Sequence, residues 1–507
     1  MAKKKKNKIY GPVFAIIIVI AIISILSLIF SIFNIEGYKI VIANNTLESQ
    51  LITVKNIISI DGIKYLFENI VNNFMNFKPL VLFIIFLLGL GICEQSGLMY
   101  AIISPLKKIK FNFVIFITLF IGIISTFMGD LSYIVLIPLT GVIYKYLEKN
   151  PILGILTMFI GITIGYGTGL IFNYNDHLIG LLTQTSATLN VDPNYKYSLL
   201  SNLYIMWFST ILFSYLGTII INKFLVTKLP KKYQLEEQNE INKQAKTISL
   251  IVFLVSLILV IYFILPINLP LAGILLDNGA ERYIDKLFGT SSPFGNGLVV
   301  IISLVFTIAG FIYGKKSENI KNGHDFSLSL SKSFENLGFL FVLMFFASQI
   351  PAIIEWTNLG NVIATRLIDL IGNLHLSGIL LIIMFIIITV IISILIPDTM
   401  SKWNLMSPTI VPLFMQANIT PNFTNFVFKI GDSIGKCFSP LFIYFIITLA
   451  FLEKYNESEN EKKQVSYFGT YKMILPTVAI LSIIWLLVIV FWYLIGFPIG
   501  IGNYSTL

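Results

Sequence analysis

Two polar patches interrupt apolar sequence, one in each half of the chain, and both carry groups that could bind a charged solute. The first is GYGTG at residues 165–169, and the second is KIGDSIGK at residues 429–436. Lipid offers no hydrogen-bond partners, so broken backbone at membrane depth must be buried in protein or line a wet cavity. The glycines predict such breaks, with carbonyl groups free to coordinate a cation. Paired breaks in two halves predict the substrate site of a secondary transporter.

Asp432 is the strongest candidate in the second patch, because a carboxylate inside a membrane is costly and is a functional-site hypothesis by default. Its predicted role is an ion or proton site, with Ser433 beside it. The structural alternative is an aspartate that caps a half-helix. Lys429 and Lys436 bracket Asp432, and a lysine here could pair with it or attract an anionic substrate group. The alternative for Lys429 is a side chain that extends to the membrane interface.

The first patch contributes a hydroxyl and flexible backbone rather than a charge. Thr168 and Gly169 are its candidates for the ion site. Asp176 follows at the end of the same span and is a candidate for substrate binding. Its structural alternative is an interfacial helix cap next to His177.

Two further polar tips separate pairs of short apolar stretches, and this pattern predicts two re-entrant hairpins. Asp130 marks the first tip and Asp398 the second. Ordinary turn chemistry is the favoured alternative for both carboxylates. Trp403 lies at the second tip, where its ring would either stack on a planar substrate or join the aromatic belt at the membrane interface.

The composition is that of a membrane protein. The chain has 507 residues, of which 56% are hydrophobic and 12% charged, and its mean hydropathy is +0.85. Soluble domains carry about 25% charged residues, and several runs here reach the roughly 20 apolar residues that cross a bilayer. The net charge of +9 comes from lysines in short loops, which predicts a cytoplasmic side and no nucleic-acid partner. The lack of a Walker A motif and of a zinc motif disfavours an ATP-driven pump and a membrane protease. With no convergent catalytic set either, the sequence predicts no enzyme, no cofactor and no metal site.

The predicted fold is an all-α polytopic membrane protein, with inverted repeats, about nine transmembrane helices and two re-entrant hairpins. The order of tip, short apolar arm, broken helix and full helix occurs in both halves, as inverted repeats require. The predicted divisions are an N-terminal transmembrane helix at 1–34, an extracytoplasmic loop at 35–78, a first inverted repeat with hairpin 1 and its broken helix at 79–228, a linker with scaffold helices at 229–335, a second inverted repeat with hairpin 2 and its broken helix at 336–452, and a cytoplasmic loop with the C-terminal helix at 453–507. Lysine placement predicts a multi-pass protein of the inner (plasma) membrane, with a cytoplasmic N-terminus and an extracytoplasmic C-terminus.

Several stretches occur in the order found in one known family and cover nearly the whole chain. They are GICEQSGL from Gly91, GDLSYIVLIPL from Gly129, FFASQ from Phe345, SKW at 401–403, GDS at 431–433 and WYLIGFPIG from Trp492. By these motifs the chain resembles the p-aminobenzoyl-glutamate transporter (AbgT) family, within a superfamily of inverted-repeat ion transporters.

The resemblance implies a homodimer that exchanges small molecules across the lipid bilayer. It implies transport of p-aminobenzoyl-glutamate or related aromatic antimetabolites, with sulfonamide efflux in some members, coupled to a proton or sodium gradient. By motif position, the functional residues of the family fall on Asp176, Trp403, Pro421 and Asp432. They would belong to a transport domain that holds both hairpins and both broken helices.

The chain departs from the family pattern at the expected cation site. Residues 167–169 read Gly-Thr-Gly where the family has Ser-Ala-Asn, and Gly435-Lys436 replaces Thr-Asn. Lys429 stands in place of an arginine. Our hypothesis is that the Lys436 ammonium acts as a tethered cation in place of sodium, so that transport is proton-coupled or an exchange.

The predicted function is therefore an ion-coupled carrier of an organic anion, an aromatic or carboxylate metabolite, that works by elevator-like movement of the hairpin domain. One alternative is a carrier of dicarboxylates or short-chain fatty acids. A less favoured alternative is a channel or membrane scaffold without transport activity, which the degenerate polar motifs leave open.

Overall fold

The computed structural model describes residues 11–43, 46–235, 238, 240–335, 337–458 and 466–507. This part of the chain is mostly helical, as predicted. The first ten helices are α1 Pro12–Ile32, α2 Ile60–Met75, α3 Lys78–Gln95, α4 Leu98–Ile103, α5 Phe111–Ile124, α6 Leu131–Tyr146, α7 Pro151–Ile164, α8 Tyr174–Asn190, α9 Leu203–Phe224 and α10 Lys243–Phe263. The others are α11 Tyr283–Phe288, α12 Pro293–Lys316, α13 Gly323–Lys332, α14 Gly338–Thr357, α15 Leu359–Asn373, α16 Gly378–Leu395, α17 Thr399–Gln416, α18 Pro421–Phe438, α19 Ile443–Ser458 and α20 Tyr467–Ile495.

Ten helical stretches of the described residues are long and apolar enough to cross a membrane. Two of them, Phe111–Met128 and Gly378–Leu395, are the first arms of the predicted hairpins. The polytopic helical fold is thereby confirmed. The hairpin geometry and the division into inverted repeats stay predictions.

The predicted loop at 35–78 contains regular structure that the sequence analysis did not assign. Strands β1 (Glu36–Ala43) and β2 (Thr46–Thr53) pair in antiparallel register, and α2 follows them. Strand β1 packs on α15 and α17. The sheet thus lies over the second half of the chain and brings a polar segment to the second predicted tip.

The break predicted in the first half is present. Helix α7 begins with Asn150 as its N-cap and Pro151 in its first turn, and it ends at Ile164. A short 3₁₀ turn covers Gly165–Gly167, and the chain then runs without helix until α8 begins. Gly169 has φ +134°, a backbone conformation that favours glycine. This break therefore depends on its glycines, as the sequence indicated.

The break predicted at Asp432 is wrong, because α18 continues through that residue to Phe438. The chain leaves the helix later, at residues 439–442. Gly431 and Gly435 serve close packing instead: a Cβ atom on Gly435 would collide with Ser393 and with the backbone of Val390 on α16. Two small residues four positions apart are a common device for close approach of membrane helices.

The two halves repeat the same order of packing. Helix α7 packs on α5 and α6, and α18 packs on α16 and α17. Both α7 and α18 are buried along nearly their whole length, whereas α10 buries only Ala245 and Ser249. The centre of the molecule is therefore formed by the two helices that precede the breaks, and polar groups on them are shielded from solvent and lipid.

Candidate substrate and ion site

Helix α18 carries a stripe of polar residues along one face. Asn422, Asn425, Lys429, Asp432 and Lys436 follow at intervals of three and four residues, which places them on one side of a helix. All five are buried. At 1.5 Å per residue the stripe extends over about 21 Å. Every one of these side chains must therefore find its partner inside the protein.

Asp432 lies at the centre of a network that satisfies both of its carboxylate oxygens. Lys402 of α17 forms an ion pair with Oδ1, and the hydroxyl of Ser393 donates to the same oxygen at 3.1 Å. The hydroxyl of Thr399 donates to Oδ2 at 2.6 Å, and the Nζ atom of Lys436 lies 3.3 Å from Oδ2. Two ammonium groups thus share one fully buried carboxylate.

The ammonium of Lys436 makes contacts that a bound cation would make. Its Nζ donates to the hydroxyl oxygen of Thr399 at 2.6 Å and lies 3.9 Å from the ring centroid of Tyr166. A desolvated ammonium over an aromatic face is attracted by the ring quadrupole. Tyr166 belongs to the 3₁₀ turn of the first break. Lys436 therefore joins the first break to α18 and to the start of α17.

A second ion pair joins Lys429 to Asp176, and Lys429 lies two turns of α18 before Lys436. The Nζ atom of Lys429 is 2.5 Å from Oδ1 of Asp176, and the lysine is buried, so it does not extend to a membrane interface. Asp176 also caps α8: its Oδ2 accepts from the backbone N–H of Asn173 at 3.0 Å, in a capping box. The helix cap given as the structural alternative for Asp176 is present, and the pairing of Lys429 with Asp176 rather than with Asp432 was not predicted.

Trp403 is fully buried and belongs to neither an interfacial belt nor an open pocket. Its indole N–H donates to the carbonyl of Ile179 at 3.1 Å and to the hydroxyl of Thr183 at 3.0 Å. Its ring lies 4.5 Å from that of Phe428. The side chain thus connects α17 with α8 and α18, and a substrate could stack on it only after these helices separate.

Three other predicted residues lie outside the Asp432 network. The Thr168 hydroxyl donates to the carbonyl of Gly165 at 2.8 Å. The Gly169 N–H donates to the hydroxyl of Thr210 at 3.0 Å. Pro421 is the first residue of α18, about 16 Å along the helix from Asp432.

Ser433 bonds to the backbone at the end of α7 rather than to Asp432. Its hydroxyl donates to the carbonyls of Thr163 and Ile164 at 2.7 and 3.0 Å. These carbonyls end α7, where helical partners run out. Ser433 therefore holds α18 against the first break, as the predicted meeting of the two halves requires.

The two predicted tips come close to the Asp432 network. Asp130 lies near enough to Lys402, Lys436, Asp398 and Asp432 for their charges to interact. Its Oδ1 is buried and accepts no hydrogen bond from the described residues. Asp398 is exposed and caps α17, as its structural alternative predicted. Within the described chain, no group of three or more His, Cys, Asp or Glu side chains is placed to hold a metal ion.

The sequence analysis missed the partners of Asp432 on other helices. It assigned Lys402 only to a polar tip and gave no role to Thr399 or Tyr166. A lysine between two apolar stretches was the available signal for Lys402. The hydroxyl and the aromatic ring carry no such signal, because they are common in membrane helices and only tertiary packing brings them to Lys436.

Buried ion pairs join α18 to α8 and α17, and the described residues contain ten candidate membrane spans, a combination typical of a helical membrane transporter. Comparison with known proteins gives the family. The model of the AbgT transporter family matches residues 2–507, so the chain belongs to that family.

A relative from Escherichia coli agrees with this assignment, and two solved structures are also similar to the chain. The p-aminobenzoyl-glutamate transport protein of Escherichia coli (strain K12) is 26% identical over 475 residues, which cover 92% of this chain and 90% of that protein. The crystal structure of the Alcanivorax borkumensis YdaH transporter is 25% identical, with TM-score 0.49, and the match covers 97% of this chain and 100% of that one. Neisseria gonorrhoeae MtrF, from a class of antimetabolite efflux pumps, is 28% identical, with TM-score 0.49 and 98% of both chains covered.

Proposed function

We propose that this chain is a secondary active transporter of p-aminobenzoyl-glutamate or a related aromatic or carboxylate metabolite. Family membership and the named substrate of the Escherichia coli relative support the substrate class. The proposal includes coupling to an ion gradient and operation as a homodimer in the plasma membrane. Antimetabolite efflux, as in the class that includes MtrF, is one physiological form of the same activity.

The observation that carries the proposal is the fully buried Asp432 between Lys402 and Lys436. Taking such charges out of water is expensive, and residues of this kind inside membrane proteins mark ion and substrate pathways. Lys436 makes oxygen and ring contacts suited to a cation. We therefore propose that its ammonium takes the place of a sodium ion, and that coupling is to protons or to a counter-substrate.

An elevator-like movement is supported by the way the polar stripe of α18 connects its neighbours. Asp432 binds side chains of α16 and α17, and Lys429 binds Asp176 of α8. These bonds tie the helices of both breaks and the second hairpin into one body. Such a body would move as a unit and would carry the buried charges with it.

The test is counterflow of labelled p-aminobenzoyl-glutamate into proteoliposomes that hold the purified full-length protein and unlabelled substrate. We expect saturable accumulation that is equal in sodium and choline buffers at a fixed membrane potential. Asp432→Asn should lower the initial rate per folded transporter, with the folded fraction of the variant measured in the same preparation. Absence of counterflow would contradict the proposed substrate, and a steep rise with external sodium would contradict the tethered cation.

A further inference from the structure

A cavity of about 360 Å³ lies between α14 and the start of α17, beside two non-helical segments at residues 396–398 and 439–442. Its apolar wall includes Pro351 and Ile354 of α14, with Ile396 and Leu441 from these two segments. Cavities of this size and character hold small organic ligands. By contrast, the space beside Asp176 and Lys429 measures about 10 Å³, room for one water molecule at most.

The cavity adjoins the Asp432 network across a single peptide. Pro397 lines the cavity, and its carbonyl oxygen accepts a hydrogen bond from the Nζ atom of Lys402 at 3.3 Å. A molecule in the cavity would therefore lie next to the buried ion pairs without displacing them. The lining includes neither Trp403 nor the Asp176–Lys429 pair.

The charged groups at the cavity are one ammonium and two carboxylates. Lys39 of β1, Glu355 of α14 and Asp398 all contribute to the lining. In the described part of the chain, no ion pair joins Lys39 to either carboxylate. A simple anion would be repelled by the two carboxylates. A molecule with a carboxylate and a separate hydrogen-bond donor would satisfy both kinds of group.

Strand β1 is held in place so that Lys39 faces the cavity. Gly37 is buried against Thr365 of α15, where any side chain would collide. The Nε atom of Arg366 donates to the carbonyl of Glu36 at 2.6 Å. Gly37 and Lys39 are two residues apart and so point to the same face of the strand. The position of the ammonium is thus fixed by contacts of the strand backbone with α15.

We infer that this cavity is a binding site for an aromatic acid that carries an amine, and that Lys39 pairs with its carboxylate. The aromatic body lies against the apolar wall, and the amine donates to Glu355 or Asp398. This inference rests on the proposed function for the class of substrate. It adds a site outside the buried network and gives the β1–β2 hairpin a part in substrate selection.

The test compares two probes that differ in charge, p-aminobenzoyl-glutamate and its dimethyl ester, by equilibrium binding to the full-length protein in nanodiscs. We expect Lys39→Gln to weaken binding of the acid about tenfold, as for loss of a charge-assisted hydrogen bond, and to leave binding of the ester unchanged. Lys39→Arg should retain binding of the acid. Lys64→Gln, at an exposed lysine of α2, is the matched control and should bind as wild type.

A second pair of probes addresses the amine. Wild type should bind p-aminobenzoyl-glutamate more tightly than benzoyl-glutamate, and Glu355→Gln should reduce that preference. The melting temperature of each variant, measured without ligand, reports whether it is folded.

Two results would overturn the site. Equal affinity of wild type and folded Lys39→Gln for the acid would do so, and the proposed function would survive if counterflow persisted. Absence of binding to wild type would also overturn it, and absence of counterflow after the same purified protein is reconstituted into proteoliposomes would remove the proposed function as well.

Discussion

At the scale of single residues, the molecule depends on a balance of charges that water cannot reach. Lys402 and Lys436 face Asp432, and Asp130 lies close enough for its charge to interact with all three. With both carboxyl groups ionised, the two positive and two negative charges sum to zero. Breaking such a balance by removing one member is expected to be more damaging than removing an oppositely charged pair.

Lys402→Met should lower the melting temperature strongly, because it leaves one excess buried negative charge. Loss of one partner from a buried pair typically costs about 3–5 kcal/mol. The double variant Lys402→Met/Asp432→Asn restores the balance and should melt above the single variant. Thermal unfolding of the purified full-length protein measures both. A single variant that melts like wild type would show that Lys402 is not needed to neutralise the site.

Lys436→Asn should make the stability of the protein depend on sodium, whereas the stability of wild type does not. The shorter, neutral side chain leaves space bordered by the Asp432 carboxylate and the Thr399 hydroxyl, and oxygen ligands of this kind suit a small hard cation. We expect sodium chloride, compared with choline chloride, to raise the melting temperature of the variant only. Equal stabilisation of wild type by sodium would contradict the role of Lys436 as a tethered cation.

The residue types of the site could be predicted from sequence, but their pairing could not. Asp432, Lys429 and Lys436 stood out because charges are rare in apolar segments. Their partners Asp176 and Lys402 come from segments up to 253 residues away in the chain. Nothing in local spacing selects which lysine meets which carboxylate, because that choice depends on how the helices pack.

At the scale of elements, the first break was predicted correctly and the second was placed too early. Both predicted breaks contain glycine, but glycine has two uses in a membrane helix. Gly169 has a positive φ that a break needs, whereas Gly431 and Gly435 lie in a continuous α18 and permit contact with α16. Sequence alone does not separate these uses. The Ser439-Pro440 step was the better signal, because proline disfavours helix at the residue before it.

Gly435→Ala should destabilise the protein by overpacking the contact between α18 and α16. The added methyl group would meet backbone atoms of Val390, which cannot turn away, and overpacking of this kind costs about 1–3 kcal/mol. Gly372→Ala on α15 is the matched control, since its added methyl group would meet nothing within 4 Å. We expect a lower melting temperature for the first variant and an unchanged or higher one for the second. The opposite order would contradict a packing role for Gly435.

At the scale of the whole molecule, lysine-rich loops predict which ends of the helices face the cytoplasm. The same prediction places the β1–β2 hairpin, and with it the cavity beside Lys39, on the extracytoplasmic side. Native Cys93 and Cys437 are buried, so single cysteines introduced at exposed positions can be labelled against a low background. Sidedness is therefore open to direct measurement in intact cells.

We expect Ser49→Cys on β2 and Tyr504→Cys near the C-terminus to react with a membrane-impermeant maleimide in intact cells. His324→Cys on α13 should react only after permeabilisation. All three positions are exposed, so differences in labelling report the side of the membrane rather than burial. Wild type is the control for background. Labelling at position 324 but not at position 49 in intact cells would show that the orientation is the reverse of the predicted one. Substrate would then reach the Lys39 cavity from the cytoplasm. Labelling at position 49 but not at position 504 would instead place the two segments on opposite sides of the membrane. The number of crossings between them would then be odd, whereas the predicted topology has an even number.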